Sequence, residues 1–298
     1  MAESNPLLAV RSPSARAPGM LSYQHEYHAG NHADVLKHSV LALLIEALQR
    51  KPAALRVLDS HAGSGGYDLE GPLPQRGREF ASGVLRVLHA ADPPAPLRRY
   101  LGAVHAHNDA GTFRYYPGSP QLALGLLRPQ DHLELFELHP QALQGLRERF
   151  GRETRVHIHR RDGYEGLVAV LPPKERRGLV LIDPSYERKD EFARVVETVA
   201  QAFKRWRNGV YVVWYPLIRH AGAQMLVDRF QKLALPRLFQ VELEVAAHDA
   251  PGLRGSGLMI ANLPYEVDAA LNELLPWLHA HLAIDGAGHW RARWLSDD

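Results

Sequence analysis

The sequence predicts an α/β fold in which helices cover both faces of an open, mostly parallel β-sheet. Apolar runs typical of buried strands recur along the chain, at 55–58, 133–136, 156–158, 179–182, 210–214, 239–245 and 257–261. Segments of helical periodicity separate most of these runs, at 140–150, 163–171, 189–207 and 222–233. A longer helix is predicted at 33–50, where apolar side chains recur on one face before Pro52. This alternation is typical of a doubly wound sheet.

The last two strand runs depart from this rhythm. Only about ten residues separate them, and a parallel crossover would need a helix between its strands. The connection should therefore be a hairpin, and the last run should lie antiparallel to its neighbours. A seven-stranded sheet with a reversed terminal hairpin strand resembles the class I, Rossmann-like methyltransferase fold. A plain dinucleotide-binding fold keeps its last strands parallel.

Composition limits the classes of protein that the chain can belong to. The 298 residues are 46% hydrophobic and 23% charged, as in an ordinary globular protein. The net charge of +2 permits an RNA partner without requiring one. Cysteine is absent, which excludes disulfides and thiolate metal sites and fits a cytoplasmic protein. No apolar run reaches the length of a membrane span, so no membrane partner is predicted.

The spacing of the motifs predicts the domain organisation. Residues 1–19 are rich in Ser, Pro and Ala without sustained periodicity, so we interpret them as a disordered leader, with Met20 as a possible start. Asp59, before the glycine loop, and the acidic residue Glu137 are 78 residues apart. In a simple nucleotide-binding unit, roughly 20 residues separate the glycine loop from the acidic residue that binds the ribose. We therefore predict a helical subdomain at 71–111, inserted into a methyltransferase domain formed by 20–70 and 112–298.

A glycine-rich loop follows the first strand. Asp59, Gly63 and Gly65 fit the pattern D-x-x-x-G-x-G, in which glycines let the backbone turn sharply and approach a bulky cofactor. A phosphate-binding loop would lead straight into a helix. Pro72 and Pro74 disfavour such a start, which favours S-adenosylmethionine because it has no phosphate. The alternative is a tight surface loop.

Acidic residues follow the next two strands. Glu137 could accept hydrogen bonds from both ribose hydroxyls of a cofactor, although acids are common where strands end. Asp162 precedes Gly163 and could accept a hydrogen bond from the adenine amine of the cofactor. Asp162 could equally cap the helix that begins at Gly163.

The fourth strand run ends in the most specific motif of the chain, Asp183-Pro184-Ser185-Tyr186. An exocyclic adenine amine is a poor nucleophile because its lone pair is delocalised into the ring. Asp183 and the carbonyl of Pro184 can accept hydrogen bonds from its two N–H groups, which localises the lone pair and directs it at a methyl donor. Tyr186 can stack on the base. The alternative is an ordinary strand-to-loop turn.

The segment 21–38 contains four His, two Tyr and Lys37. His28 and His32 would be candidate metal ligands, but further ligands at matching spacing are missing, so no metal site is predicted. Asn31 or Asp34 could cap the helix that follows. We favour a lid that closes over cofactor and base.

Seven stretches of the chain resemble the bacterial 23S ribosomal RNA adenine-N6 methyltransferase J family. They are MLSYQHEYHAGNHADVLKH, LDSHAGSGGY, RYYPGSP, FELHP, RRDGYEGL, RRGLVLIDPSYE and VVWYP. The resemblance implies a monomer with the cofactor S-adenosylmethionine, a 23S ribosomal RNA substrate, an inserted helical subdomain and a tail that closes over the cofactor. The family motif is DPPY, whereas this chain has Ser185 in third place.

The resemblance also implies roles for residues that match the family motifs. Asp183 should be the catalytic acceptor, supported by Pro184 and Tyr186. Tyr23 should contact the substrate, with His25 nearby. The cofactor site should be lined by Asp183 together with Lys37, His38, His61, Gly63, Ser119, Glu137, Asp162 and Gly163.

Other functions remain open on the sequence alone. DNA adenine and protein glutamine methyltransferases use similar loop chemistry. A non-catalytic RNA-binding or assembly factor could keep the same fold, but Asp183 and Tyr186 argue against it. The long insertion and the terminal hairpin disfavour a nicotinamide oxidoreductase.

Overall fold

The computed structural model describes residues 25–109, 111–188, 190–219 and 222–296. The predicted leader at 1–19 and the predicted substrate contact Tyr23 lie outside the described residues. Two 3-10 turns, His25–His28 and Ala95–Leu97, accompany the helices. The helices are α1 His32–Gln49, α2 Pro72–Gly77, α3 Glu79–Ser82, α4 Val84–His89, α5 Arg98–His105, α6 Ser119–Leu126, α7 Pro140–Phe150, α8 Gly163–Val170, α9 Glu191–Arg205, α10 Gly222–Lys232 and α11 Val267–Leu282.

The strands form one large sheet and one small hairpin. They are β1 Arg56–Asp59, β2 Gly66–Asp68, β3 Tyr115–Pro117, β4 His132–Phe136, β5 Val156–His159, β6 Gly178–Ile182, β7 Val210–Leu217, β8 Phe239–Glu244, β9 Gly255–Ala261 and β10 His289–Trp294. The large sheet has the order β5-β4-β1-β6-β7-β9-β8-β10, and β2 pairs with β3. The five strands from β5 to β7 are parallel. The strand β9 is antiparallel to both β7 and β8, which confirms the predicted reversed hairpin strand.

The prediction of seven strands in the sheet was wrong, because β10 adds an eighth antiparallel to β8. Its sequence alternates, with Trp294 packed edge-on against Phe239 and Arg291 paired with Glu242 across the strand pair. A strand at the edge of a sheet needs only one apolar face. Three of its six residues are His or Arg, so the run lacks the apolar composition by which the other strands were predicted.

Both faces of the central strands are buried, which is why they are almost entirely apolar. Alternate residues enter two separate cores: Leu179 and Leu181 of β6 enter one, and Val180 and Ile182 enter the other. The first core contains α1, α11 and the helices of 72–105, and the second contains α8, α9 and α10. The strands β1, β4 and β6 therefore carry their terminal residues to a fixed edge between two helical layers.

The segment between β2 and β3 is helical, as its sequence predicts. Its buried residues, among them Phe80, Val84 and Tyr100, belong to the first core together with α1. Division of the chain into domains at 71 and 111 stays a prediction.

The glycine loop leads into β2, and a helix begins only at Pro72, where proline occupies the first helical turn.

Helix α1 brings polar residues into the interior. Asn31 caps it, with its side-chain oxygen accepting hydrogen bonds from the amides of Ala33 and Asp34. Asp34, Lys37 and His38 in its first two turns are all buried. Within the described part of the chain, no helix is both long and apolar enough to cross a membrane.

Candidate active site

A cavity of about 420 Å³ opens at the carboxyl ends of the parallel strands. Ligands of open α/β sheets bind at this edge, in pockets of roughly 300–1,000 Å³. Segments that follow β1, β4, β6 and β7 meet the start of α1 here. The predicted site residues that line the cavity are His25, Lys37, His38, His61, Gly63, Ser119, Glu137, Asp183, Pro184 and Tyr186.

The glycine loop is held against the end of β4. Gly63 and Gly65 have φ angles of +60° and +81°, which side chains other than glycine rarely adopt. The amide of Gly63 donates to Glu137 Oε2 at 2.8 Å, and the amide of His139 donates to Glu137 Oε1 at 2.7 Å. Glu137 is thus fixed by backbone donors at the cavity wall, where its remaining acceptor positions can face ribose hydroxyls.

Asp59 lies beneath this loop and supports Ser119. The Ser119 hydroxyl donates to Asp59 Oδ2 at 2.6 Å, and the amide of His61 donates to Asp59 Oδ1 at 3.2 Å. Burial raises the pKa of Asp59 and the nearby carboxylate of Asp183 adds to this rise, so that the pKa reaches about 6 although both hydrogen bonds lower it. Burial also lowers the pKa of His61 to about 4, so its ring is neutral at physiological pH.

His38 lines the cavity, and its buried Nε2 lies 4.0 Å from Asp34 Oδ1. Its Nδ1 lies 2.8 Å from the Tyr116 hydroxyl, which lies 3.2 Å from the Tyr100 hydroxyl. Burial lowers the pKa of His38 to about 3. Among the described residues, its Nε2 has no hydrogen-bond partner. A buried polar atom without a partner is costly, so this nitrogen suits a ligand group in the cavity.

Asp183 is joined to Lys37 across 146 residues of sequence. Lys37 Nζ lies 2.5 Å from Asp183 Oδ2 and 2.9 Å from Asp34 Oδ1. Burial alone would lower the pKa of Lys37, but the two carboxylates outweigh it and raise that pKa above its usual value. Asp183 is 13% exposed at the cavity. One of its oxygens is therefore fixed by an ammonium while the group as a whole remains accessible.

The residues after Asp183 form an aromatic wall with the end of β7. The Tyr186 hydroxyl donates to the backbone oxygen of Trp214 at 2.6 Å, and the two rings lie 5.8 Å apart. The Phe192 ring lies 4.4 Å from Tyr186 on another side. Tyr186 has a φ of +53°, a strained conformation for a residue with a side chain. Trp214 lines the cavity as well.

Asp162 and Gly163 are not among the residues that line the cavity. Asp162 caps α8 by accepting from the amides of Tyr164 and Glu165, and its second oxygen accepts from Arg194 at 2.9 Å. The helix-cap alternative is therefore observed, while a contact to the cofactor stays a prediction. Gly163 lies against the glycine loop, since a Cβ at this position would be 1.8 Å from the Ser60 carbonyl oxygen.

His25 and His28 reach the cavity from the 3-10 turn before α1. His25 Nε2 lies 3.0 Å from Asp34 Oδ2, and its ring lies 5.3 Å from the Tyr67 ring. His28 pairs with Glu79 of α3 at 2.9 Å. In the described residues this turn is fastened to the helices of 72–105 and to α1.

Some lining residues were not predicted from the sequence. They include Asp34, Ser64, Tyr67, His139, Gln141, Ile218 and Leu253. His139 and Gln141 follow the strand-end acid Glu137, so their place after β4 was an available signal. Leu253 comes from the β8–β9 hairpin, and no local pattern reveals that this loop returns to the cavity.

The reversed strand β9, the glycine loop, the strand-end acid and the Asp183–Tyr186 loop together define a class I methyltransferase. S-adenosylmethionine is its cofactor. The cavity fits this cofactor, because it offers a fixed carboxylate at Glu137, a buried nitrogen without a hydrogen-bond partner among the described residues at His38 and a loop without a side chain at Gly63.

Comparison with known proteins identifies the family. A family model described as "Ribosomal RNA large subunit methyltransferase D, RlmJ" matches residues 52–296. Ribosomal RNA large subunit methyltransferase J of Escherichia coli (strain K12) is 41% identical over 277 residues, which are 93% of this chain and 99% of that protein. The protein of the same name from Haemophilus influenzae is 38% identical, over 94% of this chain and 100% of its own length. The chain belongs to the ribosomal RNA large subunit methyltransferase J family, which confirms the resemblance.

A solved structure has a similar fold over most of the chain. The protein from Legionella pneumophila str. Philadelphia 1 superposes with a TM-score of 0.84 at 33% sequence identity. The match covers 90% of this chain and 98% of the Legionella chain.

Proposed function

We propose that this protein transfers a methyl group from S-adenosylmethionine to the exocyclic N6 amine of an adenine in 23S ribosomal RNA. The observation that carries the proposal is Asp183, an accessible carboxylate at the end of β6 that is held by Lys37 through one oxygen. The family's relatives are named ribosomal RNA large subunit methyltransferases, which supports the RNA substrate.

The chain's own residues supply orientation and electrostatics for this reaction. When bound, S-adenosylmethionine supplies an electrophilic methyl group on a sulfonium. Asp183 Oδ1 and the carbonyl oxygen of Pro184 accept hydrogen bonds from the two N–H groups of the amine. The lone pair of the amine is thereby localised and directed at the methyl group. Bound here, the cofactor would give up this methyl group to the amine nitrogen and would keep the electron pair of the broken bond on its sulfur. The amine's surplus proton then leaves toward Asp183 or water.

Other cavity residues hold the two reactants in this proposal. Glu137 accepts from the cofactor ribose, while Ser119 and His38 contact the rest of the cofactor. Tyr186 and Trp214 stack on a base that has been turned out of the RNA, since aromatic faces bind any unstacked base. Burial of Asp183 beside these apolar rings strengthens its hydrogen bonds, because the local dielectric constant is low.

We further propose that Asp162 and Gly163 contact the cofactor's adenine side, that Tyr23 contacts the RNA, and that the protein acts as a cytoplasmic monomer. The family resemblance supports these assignments. The 3-10 turn lines the same cavity as Asp183, which supports the proposal of a substrate contact from Tyr23.

Transfer of isotope from methyl-labelled S-adenosylmethionine tests the function. Purified protein is incubated with 23S RNA, with DNA and with ribosomal protein in parallel, and each product is digested and separated by chromatography. We expect label only in RNA, as N6-methyladenosine. Label in DNA or protein would show that RNA is the wrong substrate class. No label in any of the three would favour a non-catalytic assembly factor.

A further inference from the structure

A chain of polar side chains, buried at its centre, connects the 3-10 turn to Asp183. His25 Nε2 lies 3.0 Å from Asp34 Oδ2, and Lys37 Nζ lies 2.9 Å from Asp34 Oδ1. Lys37 Nζ in turn lies 2.5 Å from Asp183 Oδ2. The side chains of Asp34 and Lys37 are only 1% and 4% exposed. The sequence motifs do not explain why a second carboxylate, that of Asp34, is buried next to Lys37.

The two oxygens of Asp34 hold different parts of the site. Oδ1 faces Lys37, one turn further along α1. Oδ2 accepts from the amide of Gly30 at 2.9 Å and faces His25. A carboxylate can accept about four hydrogen bonds, so one rigid group can fasten both the ammonium and the turn. Burial alone would raise the pKa of Asp34, but His25 and Lys37 lower it well below its usual value.

Asp34 also limits how Lys37 meets Asp183. An ammonium has three donors that rotate freely about the side chain, and one of them is taken by Asp34. Without the charge of Asp34, Lys37 can turn toward both oxygens of Asp183. The amine of the substrate would then compete with Lys37 for Asp183 Oδ1.

We propose that Asp34 is a positioning residue of the methyl-transfer reaction, which holds Lys37 on one oxygen of Asp183 and His25 at the cavity. The inference rests on the proposed function. Asp34 acts through Lys37, which lies between it and Asp183, and it contacts neither the amine nor the methyl group. Asp34 thus holds two parts of the site in place. One is the 3-10 turn at the cavity, and the other is Asp183, which accepts hydrogen bonds from the amine.

The variant Asp34→Asn tests the proposal because it keeps the shape of the side chain and removes its charge. We expect the single-turnover rate of RNA methylation to fall about 10- to 100-fold, as for other supporting groups of active sites, with nearly unchanged affinity for S-adenosylmethionine. The matched control is Asp131→Asn. Asp131 is 0% exposed and paired with Arg128, away from the cavity, so this variant reports the general cost of neutralising a buried aspartate and should keep the wild-type rate.

The pH dependence separates positioning from a merely structural role. The charged and titratable groups that interact with Lys37 come from α1, β1 and the end of β6, and they are Asp34, His38, Asp59 and Asp183. His25 of the 3-10 turn is connected to Lys37 through Asp34. When Asp34 is neutral, only one of the two neighbouring carboxylates still raises the pKa of Lys37, while burial continues to lower it. Lys37 therefore loses its proton at a lower pH. Asp34→Asn should therefore show a decline in rate at alkaline pH that the wild type and the charge-retaining Asp34→Glu lack.

Several outcomes would overturn the inference. A wild-type rate in Asp34→Asn, an unchanged pH profile, or a loss of cofactor affinity as large as the loss of rate would each do so. If Asp34→Asn does not fold, Asp34→Glu carries the test, since moving the carboxylate by one methylene should slow transfer about tenfold or more and a wild-type rate would contradict the role. NMR titration of Lys37 needs no activity: an unchanged Lys37 pKa in Asp34→Asn would overturn the inference even if wild-type protein methylated no RNA, which is the separate failure of the proposed function.

Discussion

The Ser119 hydroxyl donates a 2.6 Å hydrogen bond to Asp59, a carboxylate that is only 2% exposed. Burial raises the pKa of Asp59 from an ordinary value of 3.8 to about 6. The folded protein therefore binds this proton more tightly than the unfolded chain does. This group stabilises the fold least at neutral pH, because stability is lost as the pH rises from about 4 through about 6.

We predict that Asp59→Asn raises the melting temperature at pH 7.5 and has little effect at pH 4.5. The raised pKa corresponds to at most on the order of 3 kcal/mol at neutral pH, and the weaker hydrogen bond from Ser119 reduces this gain. Thermal unfolding at the two pH values measures the difference. The same variant should bind S-adenosylmethionine more weakly, because Ser119 loses its charged partner. An equal change in melting temperature at both pH values would contradict the assignment.

Asp183→Ala should stop methyl transfer while the protein stays folded. Loss of one oriented acceptor costs a factor of ~100 to ~1,000 in rate, and Lys37 keeps Asp34 as a partner for its charge. Single-turnover assays with labelled cofactor measure the rate, and circular dichroism checks the fold. A near-normal rate would remove Asp183 from the mechanism.

Gly163→Ala should destabilise the protein and weaken cofactor binding. Its new Cβ would lie 1.8 Å from the Ser60 carbonyl oxygen, so the start of α8 and the glycine loop must move apart. Gly102→Ala in α5 is the matched control, because its Cβ would meet nothing within 4 Å. The control should gain up to about 1 kcal/mol from helix propensity. Melting temperatures that change in the same direction in both variants would show that the close approach at Gly163 does not matter.

Ser185→Pro should keep activity and leave the melting temperature equal or slightly higher. The substitution restores the family's DPPY motif, and proline at a compatible position stabilises by about 0.4–1 kcal/mol through the unfolded state. Steady-state methylation and thermal unfolding measure the two effects. A large loss of activity would show that this chain uses the hydroxyl of Ser185, a residue that lines the same cavity as Asp183.

The sequence allowed most of the fold to be predicted because buried parallel strands are apolar throughout and helices keep a 3.6-residue period. The edge strand β10 was missed because Arg291 and Arg293 pair across its polar face. The cap at Asn31 could be predicted because capping depends on residues close in sequence.

The strand-end residues of the site were predictable for a related reason. Parallel strands place their carboxyl ends at one edge, so Glu137 and Asp183 had to lie near each other. The role of Asp34 could not be predicted in this way. Helix α1 is buried on nearly all sides, so periodicity does not reveal which of its polar residues face the cavity, and the Lys37–Asp183 contact links distant parts of the chain.

The position of β9 also fixes the order in which a nascent chain can complete the sheet. The ribosome releases β8 before β9, yet β8 pairs only with β9 and β10. The outer edge of β7 therefore stays open until residue 261 has emerged, and an open strand edge can pair with other chains. Synthesis that stalls between 244 and 261 would leave this edge exposed beside a nearly complete catalytic cavity. A chain arrested there is the form that we expect to depend most on chaperones.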